Sequence, residues 1–396
     1  MVNLDVDRIK KSSDLFESDL YAERSLISQL VANKRFLIVG GAGTIGSAVT
    51  NEIIKRDPAA VHIVDISENN LVEAVRYIRS SSSFDAELLT FAIDVGGNEF
   101  DALINRMPAY DYILNLSALK HVRSEKDPYT LNRLIDVNIF NAVKLACIAA
   151  EQSATKYFCV STDKAANPAN AMGASKRLME LFLLKESTKI DISFARFANV
   201  AYSDGSLPHG FTKRFDNAQP ISAPKDIRRY FISSEEAGQL CLLSTLLGEN
   251  LDIFFPKLTE RVHEATFKDM AIDFLKGKGF EPFECATEEE ARGRCSELIA
   301  QKKWPCYFFE SDTSGEKAFE EFYTPNEEVV LNKFEGVGIV RLSRNIDLER
   351  LDAFEASLSD WRESGSWDRD ALIEILKKAV PEFEHVEKGK NLDQRM

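Results

Sequence analysis

The stretch FLIVGGAGTIG, residues 36–46, combines a short apolar run, a glycine-rich turn and the start of an amphipathic helix. The glycines at 40, 43 and 46 have the spacing G-x-x-G-x-x-G, and those at 41, 43 and 46 also satisfy G-x-G-x-x-G. Glycine permits a tight turn here, a close approach of the backbone to a pyrophosphate and close packing of the helix on its strand. The stretch therefore predicts a strand–turn–helix unit that binds a dinucleotide.

Further short apolar runs follow, and helical patterns separate most of them. They are VHIVDIS (61–67), LTFAIDV (89–95), YDYILNLSAL (110–119), KYFCVST (156–162) and DISFARFANV (191–200). Strands that alternate with helices predict an α/β fold with a doubly wound, parallel Rossmann-type sheet. After about residue 200 the chain becomes rich in Gly, Pro and polar residues, which is typical of a smaller substrate-binding lobe.

This change of pattern divides the chain into four parts. We expect an N-terminal helical lead-in (1–34), an NAD-binding Rossmann domain (35–200), a substrate lobe (201–340) and a C-terminal helical extension (341–396). For the charged extension, a contact between subunits and a solvated helical tail are both compatible with the sequence. The related folds often form pairs, so a homo-oligomer is expected.

The composition excludes several classes of function. The chain of 396 residues has a formal net charge of -14, which argues against a nucleic-acid-binding surface. No run approaches the roughly 18 to 20 apolar residues of a membrane span, and the N-terminus has no signal-peptide pattern, so we expect no membrane insertion and a cytoplasmic protein. The six Cys and five His show neither C-x-x-C nor H-x-x-H spacing, so no metal site is predicted.

The residues around the glycine-rich turn define a predicted cofactor site. Asp65 ends the strand after the turn, where a carboxylate can bind the adenosine ribose hydroxyls and would repel a 2′-phosphate, so NAD is favoured over NADP. Asp94 is expected near the adenine, and Asn138 and Lys176 near the nicotinamide ribose. The predicted cofactor-binding residues are Gly40, Gly43, Thr44, Ile45, Gly46, Asp65, Asp94, Val95, Ser117, Ala118, Asn138 and Lys176.

The stretch STDKAANPANAMGASKR, residues 161–177, ends like the catalytic stretch of a short-chain dehydrogenase. In that superfamily a Tyr stands four residues before the Lys and takes up a proton while hydride leaves for the nicotinamide. Here Met172 stands four residues before Lys176. A thioether cannot take up that proton, so the sequence leaves open an inactive enzyme, a binding module or an enzyme with another base.

Several motifs in this order resemble one group of extended short-chain dehydrogenases, the nucleotide-sugar 4,6-dehydratases of polysaccharide biosynthesis that act on UDP-N-acetylglucosamine. The motifs are ALKHV (118–122), STDKA (161–165), MGASKR (172–177), RFANV (196–200), RRYF (228–231) and GEK (315–317). The resemblance covers roughly residues 35 to 335. It is strongest to the soluble enzymes of legionaminic-acid-type biosynthesis, some of which prefer GDP over UDP.

The resemblance implies a hydro-lyase with three steps. Hydride leaves C4 for NAD, water is eliminated across C5 and C6, and the hydride returns to C6. By resemblance Asp163 is the acid that protonates the departing C6 hydroxyl, and Lys164 is the base that removes the C5 proton. Free Asp has a pKa near ~3.9 and free Lys near ~10.4, so an isolated pair would hold each proton on the wrong partner.

A relay would remove part of this difficulty. If Asp163 accepts the 4-hydroxyl proton, directly or through the hydroxyl of Thr162, it reaches the elimination step already protonated. Met172 then fills space beside the nicotinamide, and Lys176 supplies a nearby cation. The predicted catalytic set is Thr162, Asp163, Lys164, Met172 and Lys176.

The resemblance also implies contacts to the nucleotide sugar. Cations and neutral donors occur at matching positions, and bidentate Arg suits phosphate. Many relatives have Arg-Pro before GEK, whereas this chain has Thr313 and Ser314, which puts one nucleotide contact in doubt. The predicted substrate-binding residues are Lys120, His121, Arg196, Asn199, Ser206, Arg229 and Lys317. An epimerase, a 4-reductase and a non-catalytic NAD-binding module remain the alternatives.

Overall fold

The computed structural model describes residues 15–81, 84–258, 263–311 and 320–385. Its centre is a nine-stranded sheet in the order β14-β15-β10-β6-β5-β4-β1-β2-β3. The strands from β3 to β10 in this order run parallel, and β15 and β14 are added antiparallel at one edge. The order 3-2-1-4-5-6 is that of a Rossmann sheet, so the predicted fold class is confirmed.

The strands of this sheet are short and mostly apolar, because helices cover both faces. They are β1 (Arg35–Val39), β2 (Ala60–Asp65), β3 (Glu87–Ala92), β4 (Tyr112–Asn115), β5 (Lys156–Val160), β6 (Ile192–Ala195), β10 (Asp252–Pro256), β14 (Glu328–Val330) and β15 (Val337–Arg341). Three of these strands come from beyond residue 200, so the second half of the chain helps to complete the sheet.

The helices in the first half of the described chain begin with α1 (Glu17–Ala22) and α2 (Arg24–Val31), within the predicted lead-in. They continue with α3 (Thr44–Ile54), α4 (Glu68–Ser81), α5 (Asn98–Ile104), α6 (Pro128–Ile135), α7 (Asn141–Glu151) and α8 (Ala171–Glu186). A π-helical turn (Asp136–Phe140) joins α6 to α7. Two 3-10 turns, Val122–Glu125 and Asp163–Ala165, follow β4 and β5.

The remaining helices are α9 (Leu207–Asp216), α10 (Ser234–Leu247), α11 (Phe267–Gly277), α12 (Glu288–Gly293), α13 (Cys295–Ala300), α14 (Leu348–Ser364) and α15 (Arg369–Ala379). Helix α10 packs directly against α3, because Gly238 has no side chain there. A Cβ atom at Gly238 would lie 2.7 Å from the carbonyl carbon of Ala48. This close crossing supports the helix that follows the glycine-rich turn.

A smaller lobe carries two three-stranded sheets, β11-β9-β7 and β12-β13-β8. Their strands are β7 (Asn199–Val200), β8 (Ile221–Pro224), β9 (Arg228–Ile232), β11 (His263–Thr266), β12 (Glu281–Glu284) and β13 (Lys303–Phe309). The lobe has its own apolar core, to which Phe211, Phe231 and Trp304 contribute. It lies beside the carboxyl end of β6, since β7 follows β6 directly.

The C-terminal extension is not a solvated tail over its described part. Leu351, Phe354 and Leu376 are buried in the main core. Arg369 Nε donates to Glu125 O at 2.6 Å, and the backbone N–H of Glu384 donates to Pro168 O at 3.1 Å. The extension therefore holds the turn after β4 and the loop that precedes α8.

Candidate active site

A cleft of about 600 Å³ opens at the carboxyl ends of the parallel strands, beside the neighbouring strands β1 and β4, between which the strand order reverses. Ligands of open α/β sheets bind at this kind of switch point. Most of the residues predicted from the sequence line it. These are Gly40, Gly43, Thr44, Ile45, Gly46, Asp65, Asp94, Val95, Ser117, Ala118, Lys120, His121, Thr162, Asp163, Lys164, Met172, Lys176, Asn199 and Ser206.

The glycine-rich turn has no room for side chains at two positions. Gly40 has φ +74°, and a Cβ atom there would lie 2.6 Å from the backbone nitrogen of Ser117. A Cβ atom at Gly46 would lie 2.2 Å from Gly40 O. Gly43 is the N-cap of α3 and provides no side-chain cap, so the first N–H groups of the helix remain available to an anion. This geometry fits the pyrophosphate of a dinucleotide.

Asp65 is fixed beside this turn by two backbone donors. Its Oδ2 accepts from the N–H of Ala42 at 3.1 Å, and its Oδ1 accepts from the N–H of Ser67 at 2.9 Å. Ile66, the next residue, has an exposed apolar side chain that also lines the cleft. A carboxylate and an apolar side chain together suit an adenosine with free ribose hydroxyls.

The opposite wall at this end carries a charge pair of which the sequence predicted one member. Asp94 Oδ1 accepts from the N–H of Gly96 at 2.9 Å, and its other oxygen pairs with Arg133 of α6. Arg133 also lines the cleft. No sequence motif identifies Arg133, because it is 39 positions away from Asp94 in the chain and only the fold brings the two together.

The turn after β5 presents the predicted acid–base pair. Lys164 Nζ lies 3.1 Å from Asp163 Oδ1 and 3.3 Å from Oδ2. Thr162 Oγ1 donates to Asp163 Oδ1 at 2.8 Å and accepts from the N–H of Lys164 at 3.3 Å. The Asp163 side chain is 7% exposed and that of Lys164 is 31% exposed. A hydroxyl, a carboxylate and an amine thus form one continuous chain at the cleft.

Helix α8 packs on this turn through a glycine. A Cβ atom at Gly173 would lie 2.5 Å from Lys164 O, which explains the Gly of the MGASK motif. The helix start is doubly capped, since Asn170 accepts from the N–H of Gly173 and Glu125 Oε2 accepts from the N–H of Ala171. Glu125 is itself held by the C-terminal extension, so that extension indirectly supports the turn at 162–164.

Met172 and Lys176 occupy successive turns of α8. Met172 is buried apart from the surface it shows to the cleft, as expected for a side chain that fills space. Lys176 Nζ donates to Val160 O at 3.0 Å, and burial lowers the pKa of this amine. A buried lysine beside the cleft can contact a ribose hydroxyl or supply a local positive charge.

The loop after β7 closes the cleft over the glycine-rich turn. Thr44 Oγ1 donates to Asp204 Oδ2 at 3.2 Å, and the N–H of Asp204 donates to Thr44 Oγ1 at 3.1 Å. Gly205 has φ +72°, and a Cβ atom there would lie 2.8 Å from the ring of His121. The Asp-Gly turn at 204–205 is a sequence signal for this loop, but Asp204 was not predicted as a cleft residue.

Two basic residues face this loop from the end of β4. Lys120 and His121 both line the cleft, and protein atoms surround them although solvent still reaches their side chains. Burial lowers the pKa of Lys120, and burial together with Lys120 and Arg123 lowers the pKa of His121. Ser206 caps α9 by accepting from the N–H of His209 at 3.3 Å. All three can donate hydrogen bonds to a ligand.

Arg196 was predicted to bind the diphosphate, and the structure corrects this prediction. Its side chain is fully buried and donates to Glu180 Oε2 at 2.7 Å, to Glu327 Oε1 at 2.9 Å and to Phe322 O at 2.8 Å. Burial lowers the pKa of Arg196, but the two carboxylates outweigh it and the net pKa is raised. The arginine joins α8, β6 and the loop before β14, away from the cleft.

Two other predicted contacts also lie outside the cleft lining. Asn138 donates to Ser175 Oγ at 3.0 Å and accepts from the N–H of Leu119 at 2.9 Å, so it braces the cleft wall instead of facing a ribose. Arg229 is nearly buried, with Nε 4.0 Å from Glu320 Oε1. Lys317 lies outside the described residues.

Neither a metal cluster nor a membrane span occurs within the ranges that the structure describes. No group of three or more His, Cys, Asp or Glu side chains there is arranged to hold a metal ion. Over the same ranges, none of the helices has both the length and the apolarity needed to cross a bilayer.

Known proteins resemble this chain in sequence. An uncharacterised membrane protein of Methanocaldococcus jannaschii is 30% identical over 264 residues, which are 65% of this chain and 76% of the relative. The capsular polysaccharide biosynthesis protein CapD of Staphylococcus aureus is 29% identical over 259 residues, 63% of this chain. That match spans 43% of CapD, less than half of its length.

Solved structures share the fold at low sequence identity. Pen from Bacillus thuringiensis has a TM-score of 0.65 at 20% identity and covers 80% of this chain and 90% of its own. DesIV of Streptomyces venezuelae, a dTDP-glucose 4,6-dehydratase solved with NAD bound, has a TM-score of 0.52 at 18% identity and covers 61% of this chain and 80% of its own. These likenesses show a common fold.

One family model, described as polysaccharide biosynthesis protein, matches residues 36–341. The matched range contains the glycine-rich turn, the Thr162–Asp163–Lys164 turn and the strands of the smaller lobe. On this evidence the chain belongs to the polysaccharide biosynthesis protein family.

Proposed function

We propose that the protein is an NAD-dependent hydro-lyase that converts UDP- or GDP-N-acetylglucosamine into the 4-keto-6-deoxy sugar nucleotide. The observation that carries this proposal is the Thr162–Asp163–Lys164 chain at the cleft, with its carboxylate 2.8 Å from the hydroxyl and 3.1 Å from the amine. Elimination of water needs both an acid and a base, whereas an epimerase or a 4-reductase needs no acid at C6. Family membership and a dehydratase of the same fold support the proposal.

NAD fits the cradle at the glycine-rich turn, where added Cβ atoms would collide with backbone. When bound, it would supply reversible hydride transfer, with C4 as the donor and C6 as the acceptor. The N-terminus of α3 would hold its pyrophosphate, Asp65 its adenosine ribose and Lys176 its nicotinamide ribose. The carboxylate of Asp65 disfavours a 2′-phosphate, which supports NAD over NADP.

The hydrogen bonds at the turn support a proton relay. Met172 cannot accept the proton of the 4-hydroxyl. Thr162 can accept it while passing its own proton to Asp163 Oδ1, to which it already donates. Asp163 thereby becomes the acid that protonates the departing C6 hydroxyl, so that water leaves.

Lys164 takes the C5 proton and returns it to C5 after the hydride reaches C6. It must be neutral for the first of these steps. Protonation of Asp163 removes the negative charge 3.1 Å from Lys164 Nζ, so the ammonium of this 31% exposed side chain can release its proton to solvent before it takes the C5 proton. The relay and the base are therefore linked, and the net change in the sugar is the loss of one water.

The first test is mass spectrometry of the purified protein incubated with NAD and either UDP- or GDP-N-acetylglucosamine. Loss of one water from one substrate establishes the dehydratase and identifies its nucleotide. An unchanged mass with an altered sugar configuration would indicate an epimerase. Unchanged substrates with NAD bound would indicate a non-catalytic module, the alternative that Met172 favours.

The relay is tested by Asp163→Asn, with Asp352→Asn on the exposed face of α14 as the matched control. Asn cannot store the 4-hydroxyl proton, so we expect no NADH absorbance in a single turnover and a loss of kcat of at least about 100-fold. Transient NADH without product would show that Asp163 acts as acid alone. Asp352→Asn should retain full activity.

A further inference from the structure

Glu320 is a buried carboxyl group behind the wall of the cleft. Its side chain is 3% exposed, and Oε2 accepts from the N–H of Tyr230 in β9 at 2.9 Å. Its Oε1 accepts from the side-chain amide of Asn199, a residue that lines the cleft. Arg229 Nε lies 4.0 Å from the same oxygen. Glu320 thus joins β7 and β9 behind the cleft wall.

The charges around Glu320 come from two elements. Burial raises the pKa of Glu320 to about 7, and the negative charge of Asp163 adds to this increase. Lys164 and Arg229 act in the opposite direction, as does the N–H of Tyr230. From β7 the contact is the uncharged amide of Asn199. Glu320, whose pKa the charge of Asp163 raises, is not one of the predicted catalytic residues.

We propose that Glu320 is a positioning residue of the dehydration, which fixes the amide of Asn199 at the cleft wall through a hydrogen bond. This inference rests on the proposed function. The negative charge of Asp163 contributes to the raised pKa of Glu320, so the charge of Glu320 responds to the turn after β5.

Each hydrogen-bond or charge partner of Glu320 has a role in this arrangement. Arg229 and the two N–H donors stabilise the ionised carboxylate, although it is buried. The hydrogen bond to Glu320 also orients the amide nitrogen of Asn199 toward the carboxylate, because its carbonyl oxygen would be repelled there. Asn199 therefore approaches a ligand in one fixed orientation, and the charge of Glu320 determines it.

The test is Glu320→Gln, with Glu321→Gln as the matched control. Glu321 is the adjacent exposed carboxylate and bonds to Asn167. In the wild type we expect kcat to fall as the pH decreases through about 7, because protonated Glu320 no longer offers the Asn199 amide a charged acceptor. In Glu320→Gln this acid limb should disappear and the plateau kcat should fall on the order of tenfold. Glu321→Gln should keep the wild-type profile.

A second variant separates charge coupling from damage to the fold. Asn199→Ala removes a donor to the carboxylate and should move the acid limb to higher pH, because loss of a hydrogen bond to the charged form disfavours that form. An acid limb that is the same in the wild type, Glu320→Gln and Asn199→Ala would overturn the proposal.

An infrared measurement tests Glu320 without turnover. In the resting protein, the band of a protonated buried carboxyl group should be present at pH 6, disappear by about pH 8 and be missing from Glu320→Gln at both values. If the wild type forms no dehydrated sugar but shows this band, the proposed reaction is wrong, whereas the protonation of buried Glu320 is supported. If the band is unchanged in Glu320→Gln, the inference is wrong whatever the activity.

Discussion

Replacement of Arg196 by Met would show whether this residue stabilises the fold or binds substrate. The guanidinium lies between the carboxylates of Glu180 and Glu327, whose side chains are 0% and 10% exposed. Met fills a similar volume but carries no charge, so two nearly buried carboxylates would remain without their cation. Breaking a buried ion pair in this way costs about 3 to 5 kcal/mol.

The expected change in melting temperature follows from the size of the chain. At about 2.1 cal/mol/K per residue, 396 residues give an unfolding entropy of about 0.8 kcal/mol/K. A loss of about 3 to 5 kcal/mol then lowers Tm by roughly 4 to 6 °C. Arg76→Met is the matched control, because Arg76 and its partner Glu73 are 71% and 72% exposed. We expect its Tm to change by less than about 1 °C.

The pH dependence of this effect has a defined sign. In the wild type, burial raises the pKa of Glu180, but Arg196 outweighs it and the net pKa is lowered. The wild type therefore gains stability above the pKa of an unfolded Glu and loses it as the pH falls. Without the cation, burial dominates and the variant prefers protonated carboxyl groups. The Tm difference should narrow as the pH approaches ~4.5.

Differential scanning calorimetry at several pH values, with steady-state kinetics at neutral pH, distinguishes the two roles of Arg196. A double variant, Arg196→Met with Glu180→Gln, should recover part of the lost Tm because one buried charge is removed. An unchanged Tm together with a raised KM for the nucleotide sugar would refute the structural role and restore the arginine as a ligand.

Two further substitutions test the cofactor end of the cleft. Gly46→Ala should weaken NAD binding at least tenfold in calorimetric titration, because its Cβ atom would lie 2.2 Å from Gly40 O. Gly293→Ala is the control and should bind NAD normally, because a Cβ atom there has no neighbour within 4 Å. Equal NAD affinities of the two variants would contradict the proposed pyrophosphate site at the glycine-rich turn. Asp204→Asn should tighten NAD binding about two- to fivefold at low salt, because it removes a negative charge next to the N-terminal turn of α3. Weaker NAD binding would show that the contact between Asp204 and Thr44 is needed instead.

The parts of the fold that depend on local chemistry could be predicted from the sequence. The glycine-rich turn, the alternation of strands and helices and the acid–base pair after β5 each lie within a short stretch. Turn geometry, periodicity and residue spacing act over such distances. The structure confirms the Rossmann sheet and brings the predicted turn, Asp65, Asp163 and Lys164 to one cleft.

The sequence by itself thus determined the class of sheet, the position of the glycine-rich turn and the residue types of the predicted acid–base pair. Only the tertiary structure decided that Arg196 is a buried brace, that Glu320 lies behind Asn199 at the cleft wall and that the C-terminal extension supports α8. Arg196 and Glu327 are 131 residues apart, and Asn199 and Glu320 are 121 residues apart. The sequence of a motif does not show whether its charged residue faces a ligand or a carboxylate. The burial and the partners of that residue arise from contacts between distant segments.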